Sequence, residues 1–369
     1  MKSSTINFIQ DIATPHNNLF IKSLIDYSGK DIKIWYAQGE EQRRYNRVSD
    51  LTNEISEANI YGSRLNLRFL LYCLRHRKDK FLIVGWANIN TISLHIIFFL
   101  LRVPYNHWTD LPDVNENLSL KNFLFRWGAY KLLELSKCKV FGVGSMSILG
   151  LKGMGFDENR LANLPIFVKT YSDLGVFKKE KEELFEKYNI PNDCLLISAG
   201  SRLVYEKGYD ILLSSIALLP SNILSKTKLI LIGDGEQLNN LKKLSISLGI
   251  SQKIIFIEWI EIDSFKCIIA NSDVFVHPAR FDSYGGSILA MSLGVPVIGS
   301  YGSGAAVDRV NHGKNGFLYS SENSSELSKY IELVLSNKKL RMELGVKAHQ
   351  KSLEWPTSRG VEILMNNMI

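Results

Sequence analysis

Arg202 and Lys207 stand five residues apart in "AGSRLVYEKGYD", between an apolar run and a helix-forming one. Two cations at the mouth of a strand and ahead of a helix N-terminus can converge on an anion, most naturally a diphosphate. Surface solvation is the other reading of the same spacing. A second candidate is "HPARFDSYGGSILAMSLGVPVIGS", His277 to Ser300, whose one acidic residue is Asp282. "DSYGGS" breaks a strand and starts the helix "SILAMSL", so the backbone N–H groups of Gly285, Gly286 and Ser287 point outward at a positive helix end. A third, weaker signal is "LIGDGEQL", where Gly233 and Gly235 allow a tight turn after a buried strand; such turns usually only connect elements.

The elements that would hold these residues come from an alternation of strand and helix patterns. "INFIQDI", "IKIWYAQ", "FLIVGWA" and "CKVFGVGS" read as strands and "PYNHW" as a strand edge, with "NLFIKSLIDYS" and "TISLHIIFFLLRV" as helices. "NLPIFV" reads as an exit into a charged helix, "KKEKEELFEKYNI". From "CLLISAG" the alternation restarts, through "GYDILLSSIALL", "TKLILIGDG", "EQLNNLKKLSISLG", "KIIFIEW", "FKCIIANS" and "DVFVHPA". Two βαβ series imply an α/β chain of two Rossmann-like domains, residues 1–170 and 171–350, facing a central cleft, with a tail at 351–369 that could pack back on the first domain. A chain of 369 residues, 46% hydrophobic and 22% charged, is long enough for two such cores.

Composition excludes several classes. Cys73, Cys138, Cys194 and Cys267 lie far apart with no C-x-x-C pair, which argues against a zinc site or a disulfide framework and for a reducing compartment. Met1 to Gln10 is polar and carries no secretory pattern. The longest apolar run, Ile92 to Leu101, is interrupted by His95 and is about half a membrane span. Net charge is +7, and most of the excess lies before Gly175, where 22 Lys+Arg face 16 Asp+Glu. Part of it is "RLNLRFLLYCLRHRKDK", where Arg64, Arg68 and Arg75 share a helical face, with Leu67, Leu70, Leu71 and Leu74 as apolar surface. That face suits an anionic membrane surface, or it is an ordinary solvated helix side; no nucleic-acid partner is expected.

Five segments in order, "SRLVYEKG", "LIGDG", "DVFVHPAR", "GVPVI" and "GKNGFLY", resemble the retaining GT-B glycosyltransferases, the nucleotide-sugar-dependent glycosyl transferases group 1. The resemblance is strong from about Leu195 to Tyr319. It implies a GT-B fold and transfer of a sugar from a nucleoside-diphosphate sugar to an acceptor hydroxyl with retention, without a cofactor or metal. Arg202 and Lys207 would hold the donor diphosphate, protein cations standing where a metal otherwise would. Asp282 would lie near the donor sugar, and Gly200, Gly233, Glu258, Trp259, Ser283, Tyr284, Gly285, Gly286, Ser287 and Leu289 would line the donor site.

The resemblance departs at the first strand's exit, where "ATPHNN" lacks the family's double glycine, and at the second acid of the donor site. The family has a second acidic residue eight positions after the first, on the ribose; here the segment is one residue shorter and the acid is missing. Either the turn is shortened and Leu289 stands in its place, or the helix has lost the residue. The first is easier, because a deletion inside a helix rotates every later side chain by about 100°. On the acceptor side the resemblance points to Asp110, then His107, with His16 and Asn17 in "ATPHNN"; Asp110 or His107 could orient or deprotonate an acceptor hydroxyl. The expected function is a glycosyltransferase building a bacterial-type surface glycan on a glycan or lipid-linked acceptor, cytoplasmic and peripheral at the membrane. A weakened or non-catalytic partner subunit, a nucleotide-sugar epimerase and a glycosidase are the alternatives.

Overall fold

The computed structural model describes residues 5–38, 55, 58–86, 88–110, 120–178, 181–258 and 260–369. They form two compact units, 1–167 with 357–369, and 168–356.

In the first unit the elements run β1 (Ile6–Ile12), α1 (Pro15–Ser28), β2 (Ile32–Gln38), β3 (Ala58–Ile60), α2 (Leu67–Arg75), β4 (Lys80–Val84), α3 (Ile89–Leu100), β5 (Tyr105–Thr109), α4 (Leu120–Leu135), β6 (Cys138–Gly142), α5 (Gly144–Gly153) and β7 (Leu161–Asn163). Every strand pairing is parallel, in the order β3-β2-β1-β4-β5-β6-β7. The chain therefore reverses its direction of progress between β1 and β4, where a doubly wound sheet opens to a ligand. Helix α1 starts there: Thr14 accepts the N–H of Asn17 and Pro15 takes the first turn, where its missing donor costs nothing.

Two expectations are corrected here. "PYNHW" is no sheet edge; β5 lies between β4 and β6 with all five residues buried. Tyr105, Trp108 and Thr109 are β-favouring residues and suit a strand covered on both faces. The basic helix begins at Leu67, capped by the Asn66 side chain, so Arg64 precedes it and only Arg68 and Arg75 lie on it. Leu70 turns into the core with Phe69 and Cys73, while Leu67 and Leu71 stay exposed.

The second unit carries α6 (Gly175–Lys178), α7 (Lys181–Lys187), β8 (Leu195–Gly200), α8 (Tyr209–Ala217), α9 (Ser221–Leu224), β9 (Thr227–Ile232), α10 (Leu238–Ser247), β10 (Ile254–Ile257), α11 (Ile262–Ala270), β11 (Val274–His277), α12 (Ser287–Ser292), β12 (Val297–Ser300), α13 (Gly304–Arg309), β13 (Gly316–Tyr319), α14 (Ser324–Ser336) and α15 (Lys338–Leu353). Its parallel sheet is ordered β10-β9-β8-β11-β12-β13, and the reversal falls between β8 and β11. Both βαβ series read from the sequence are thus present. Apolar runs in β8, β9 and β11 fill the centre of the sheet, against Leu212, Ile216, Ile331 and Val334 of α8 and α14.

Helix α16 (Thr357–Asn367) belongs to the first unit and packs along α1. Phe20 and Phe167 stack 6.1 Å apart, and Gly360 passes so close that a Cβ there would come within 2.4 Å of Phe167. Asn106 of β5 exchanges hydrogen bonds with the backbone of Ile369.

Candidate active site

In the second unit the polar residues gather at the carboxyl ends of β8 and β11, the two strands that flank the reversal. The turn after β8 holds Lys207 and the segment after β11 holds Asp282. Lys207 Nζ lies 2.6 Å from Asp282 Oδ2, with the side chains only 11% and 9% exposed. The same carboxylate oxygen accepts a hydrogen bond from His277 Nε2 at 3.0 Å. His277 Nδ1 lies 2.8 Å from each of the hydroxyls of Ser287 and Ser303. Burial by itself would raise the Asp282 carboxyl; the His277 hydrogen bond and the Lys207 charge outweigh it and hold the group below the usual carboxylate range. Asp282 is thus an anion held between two donors.

The backbone is fixed as firmly. Asp282 N–H donates to Gly302 carbonyl and Gly304 N–H to Asp282 carbonyl, both at 2.9 Å. Arg280 joins the two loops: its guanidinium makes a bidentate pair with Asp210 at 2.8 Å, lies 4.1 Å above the Tyr205 ring, and reaches Glu322 at 2.7 Å. The N–H groups of Arg280 and Phe281 both donate to Glu206 carbonyl, one residue before Lys207. Bidentate pairing gives orientation as well as attraction.

The double glycine at 285–286 has a packing reason. A Cβ at Gly285 would sit 2.9 Å from His277 Cε1 and 3.2 Å from Asp282 Oδ2, and one at Gly286 would sit 2.5 Å from Phe275 Cζ. Any side chain would push the turn off the His277–Asp282 pair. Gly233 and Gly235, at φ 144° and 155°, let their turn approach the carbonyls of Ser201 and Leu203, where a Cβ would come within 1.9 and 2.4 Å. Leu203 N–H donates to Asp234 carbonyl and Gln237 N–H to Leu203 carbonyl, so this turn buttresses the loop that carries Arg202.

Of the residues expected on the donor side, the structure brings Lys207, Asp282, Gly285 and Ser287 together around His277. Gly200 ends β8, Gly233 follows β9, and Glu258 is exposed just beyond β10. Arg202 is exposed and makes no ion pair among the described residues. Trp259 lies outside the described residues. Ser283 and Tyr284 continue the loop, and the Tyr284 hydroxyl accepts from Arg309 Nε at 2.9 Å. Leu289 is 7% exposed and belongs to an apolar cluster with Phe275, Met291, Val295 and Val297.

In the first unit His16 is exposed in the first turn of α1, and the Asn17 amide donates to Gln10 Oε1 at 2.7 Å. Asp110 is exposed at the carboxyl end of β5. His107, at mid-β5, is wholly buried, stacked on Trp86 at 5.0 Å and edge-on to His95. Burial pushes its pKa well below the usual imidazole value.

Sequence reasoning passed over His277, Ser303, Arg280 and Arg309. A histidine directly before proline at a strand end was the one available signal.

Residues 180–351, most of the second unit, match the sequence model of the family described as Glycosyl transferases group 1. Among curated proteins the chain is similar to the lipopolysaccharide core biosynthesis glycosyltransferase LpsE of Rhizobium meliloti, 29% identical over 44% of this chain and 46% of that protein. It is also similar to the GDP-mannose-dependent alpha-(1-6)-phosphatidylinositol monomannoside mannosyltransferase of Mycolicibacterium smegmatis, 27% identical over 48% of each. The matched stretches span about half the length of these relatives. Among solved structures, HepE of Anabaena in complex with UDP and glucose superposes with a TM-score of 0.78 at 17% identity, covering 98% of both chains. WaaG, a glycosyltransferase involved in lipopolysaccharide biosynthesis, follows with 0.67 at 16% identity, covering 97% of both. The fold is GT-B, and the match to the glycosyl transferases group 1 model lies within its second unit.

Proposed function

We propose that the chain is a retaining, metal-independent glycosyltransferase that moves a hexosyl group from a nucleoside-diphosphate sugar to a glycan or lipid-linked acceptor in surface polysaccharide synthesis. The observation that carries this reading is the Lys207–Asp282–His277 group at the reversal point of a glycosyl transferases group 1 domain. A buried lysine beside a buried carboxylate is poised for an anionic ligand: a diphosphate arriving between Arg202 and Lys207 takes up the lysine's charge, while Asp282 stays ionised through His277 and faces the sugar. Cations fixed in advance stabilise the diphosphate as it leaves, when its charge is largest. Gly200, Gly233 and the Gly285–Ser287 backbone leave room for the phosphates, Glu258 flanks the base, and Leu289 lies toward the ribose. Asp110, His16 and Asn17 serve the acceptor.

HepE was solved with UDP and glucose, which makes uridine nucleotides the first donors to try. Thermal-shift measurements with UDP, GDP and their sugars select the donor, since a ligand of the native state raises the midpoint. Transfer to added acceptor is then followed with and without EDTA. Retention of the anomeric configuration and turnover in EDTA are expected; no midpoint shift with any nucleotide removes the reading, and an EDTA loss reversed by magnesium removes its metal-independent part.

One observation favours a weakened or non-catalytic partner: Leu289 places packing where the family resemblance implies a carboxylate. Saturable donor binding without transfer to any acceptor would establish it. No helix among the described residues is long and apolar enough to cross a membrane. We assign the exposed Arg64, Arg68 and Arg75, beside Leu67 and Leu71, to an anionic membrane surface at the cytoplasmic face.

A further inference from the structure

Arg309, the last residue of α13, is 4% exposed. Its Nε donates to the Tyr284 hydroxyl at 2.9 Å, and its guanidinium carbon lies 3.5 Å from the centre of the Trp355 ring. Each neighbour occupies a telling place. Tyr284 is in the loop that runs from Asp282 to the Gly285–Gly286 turn. Trp355 is two residues before Thr357, where the chain passes from the second unit to the first.

A charged side chain this deeply buried is a poor way to fill space, since an apolar one of similar volume is often as stable or more so. What a guanidinium adds is geometry: a planar cation stacks on an indole face while its edge donates in a fixed direction, which neither lysine nor an apolar residue reproduces. The directed bond goes to the donor loop and the stacked face to the crossing segment. One side chain therefore touches both.

We propose that Arg309 is a positioning residue that couples the Asp282–Gly286 loop to the Trp355 segment, so that occupancy of the donor site by a nucleoside-diphosphate sugar is felt where the chain leaves the unit. The proposal rests on the donor-site reading above and adds to it a link that the site itself does not require. Such a link is reciprocal: a donor that orders the loop orders the Trp355 segment, and loosening that segment weakens the donor.

The test uses the full chain labelled with 5-fluorotryptophan, the Trp355 resonance being assigned by its loss in Trp355→Phe. UDP-glucose and GDP-mannose are titrated while calorimetry on the same samples reads binding. In the wild type the Trp355 resonance moves with saturation. Tyr284→Phe keeps the ring and removes only the hydroxyl; it is expected to bind about five- to tenfold more weakly, with the Trp355 shift abolished. Arg309→Lys, which keeps the charge without the fork, behaves the same way. Binding seen by calorimetry with a stationary Trp355 resonance in the wild type overturns the coupling while leaving the donor site in place. So does a Tyr284→Phe protein that matches the wild type in both affinity and shift. Absence of calorimetric binding of either probe to the wild type is a different failure, that of the donor-site reading, and the coupling falls with it.

Discussion

Lys207 Nζ and Asp282 Oδ2 are 2.6 Å apart and nearly sealed from solvent, on two loops that follow the adjacent strands β8 and β11. A buried pair is costly to halve, because the survivor is left charged without its partner, by roughly 3–5 kcal/mol. Lys207→Ala should therefore lower both turnover and the unfolding midpoint, with Asp282 left only His277. Lys207→Met together with Asp282→Asn removes both charges, and most of the lost stability should return while activity does not. Chemical denaturation of the two variants decides it. A double variant no more stable than the single one would mean that the pair is not what the fold depends on.

Arg202 is the contrasting case. It is exposed and without an ion pair among the described residues, so its removal disturbs nothing in the free protein. Arg202→Ala is expected to reduce turnover by roughly two to three orders of magnitude, the scale for losing one preorganised partner of a developing charge. Its midpoint should match the wild type without nucleotide and fall behind it with nucleotide present. Unchanged kinetics would take Arg202 out of the donor site.

The two cases mark what the sequence could disclose. Arg202, Lys207 and Asp282 could be singled out as candidates because each stands beside a strand end and a glycine-bearing turn, and strand ends follow from local periodicity. The same periodicity disclosed both sheets, yet it passed over β3 and β7, three residues each and too short for a repeat to register. His277 stayed hidden because inside "DVFVHPAR" it reads as one more strand residue. Its meaning comes from Asp282 five positions on and Ser303 twenty-six positions on. Arg280 likewise finds Asp210 across seventy residues of chain. Pairings of that length are made by the strand order, which no local pattern carries. His107 shows the converse: a polar residue near the end of a strand looks available in the sequence, and the packing of α3 and the end of β4 encloses it.

That enclosed histidine has a consequence for pH. Burial lowers His95 to about 4 and His107 well below the usual imidazole value, His95 adding its own charge against the second. Facing them are Tyr105 on β5, whose hydroxyl lies 3.1 Å from His95 Nδ1, and the ring of Trp86; no carboxylate is paired with either among the described residues. The unfolded chain takes up protons near pH 6.5, whereas the folded chain does not until about pH 4. The unfolded state thus binds more protons across that window. Stability from these groups is complete above the unfolded value and is lost as pH falls through the window, by up to about 1.4 kcal/mol per pH unit for each histidine. His107→Phe, which keeps a ring against Trp86, should flatten the decline between pH 6.5 and pH 4.5. Urea titrations at several pH values measure the slope, and equal slopes in the two proteins would show that His107 already carries a proton in the fold.

Leu289 poses the last test. It stands where the family resemblance implies a ribose-binding carboxylate, yet it lies among Phe275, Met291, Val295 and Val297 at 7% exposure. A glutamate there has two opposed effects. Without ligand its carboxylate is desolvated, so Leu289→Glu should unfold at a lower temperature than the wild type. With nucleotide bound, the ribose hydroxyls supply donors to that carboxylate, each bond to a charged group contributing roughly 1.5–3 kcal/mol before desolvation is subtracted. The midpoint gained on adding nucleotide should consequently be larger in the variant than in the wild type, although the variant starts lower. Inserting a glutamate between Leu289 and Ala290 is the control. It restores the spacing of the two acids but turns Ala290, Met291 and Leu293 by about 100°, out of the cluster, and should lose stability that nucleotide does not return. A larger gain in the substitution alone places the ribose beside Leu289 in a shortened turn. A gain no greater than the wild type's means that the ribose is held elsewhere and that Leu289 is there to pack.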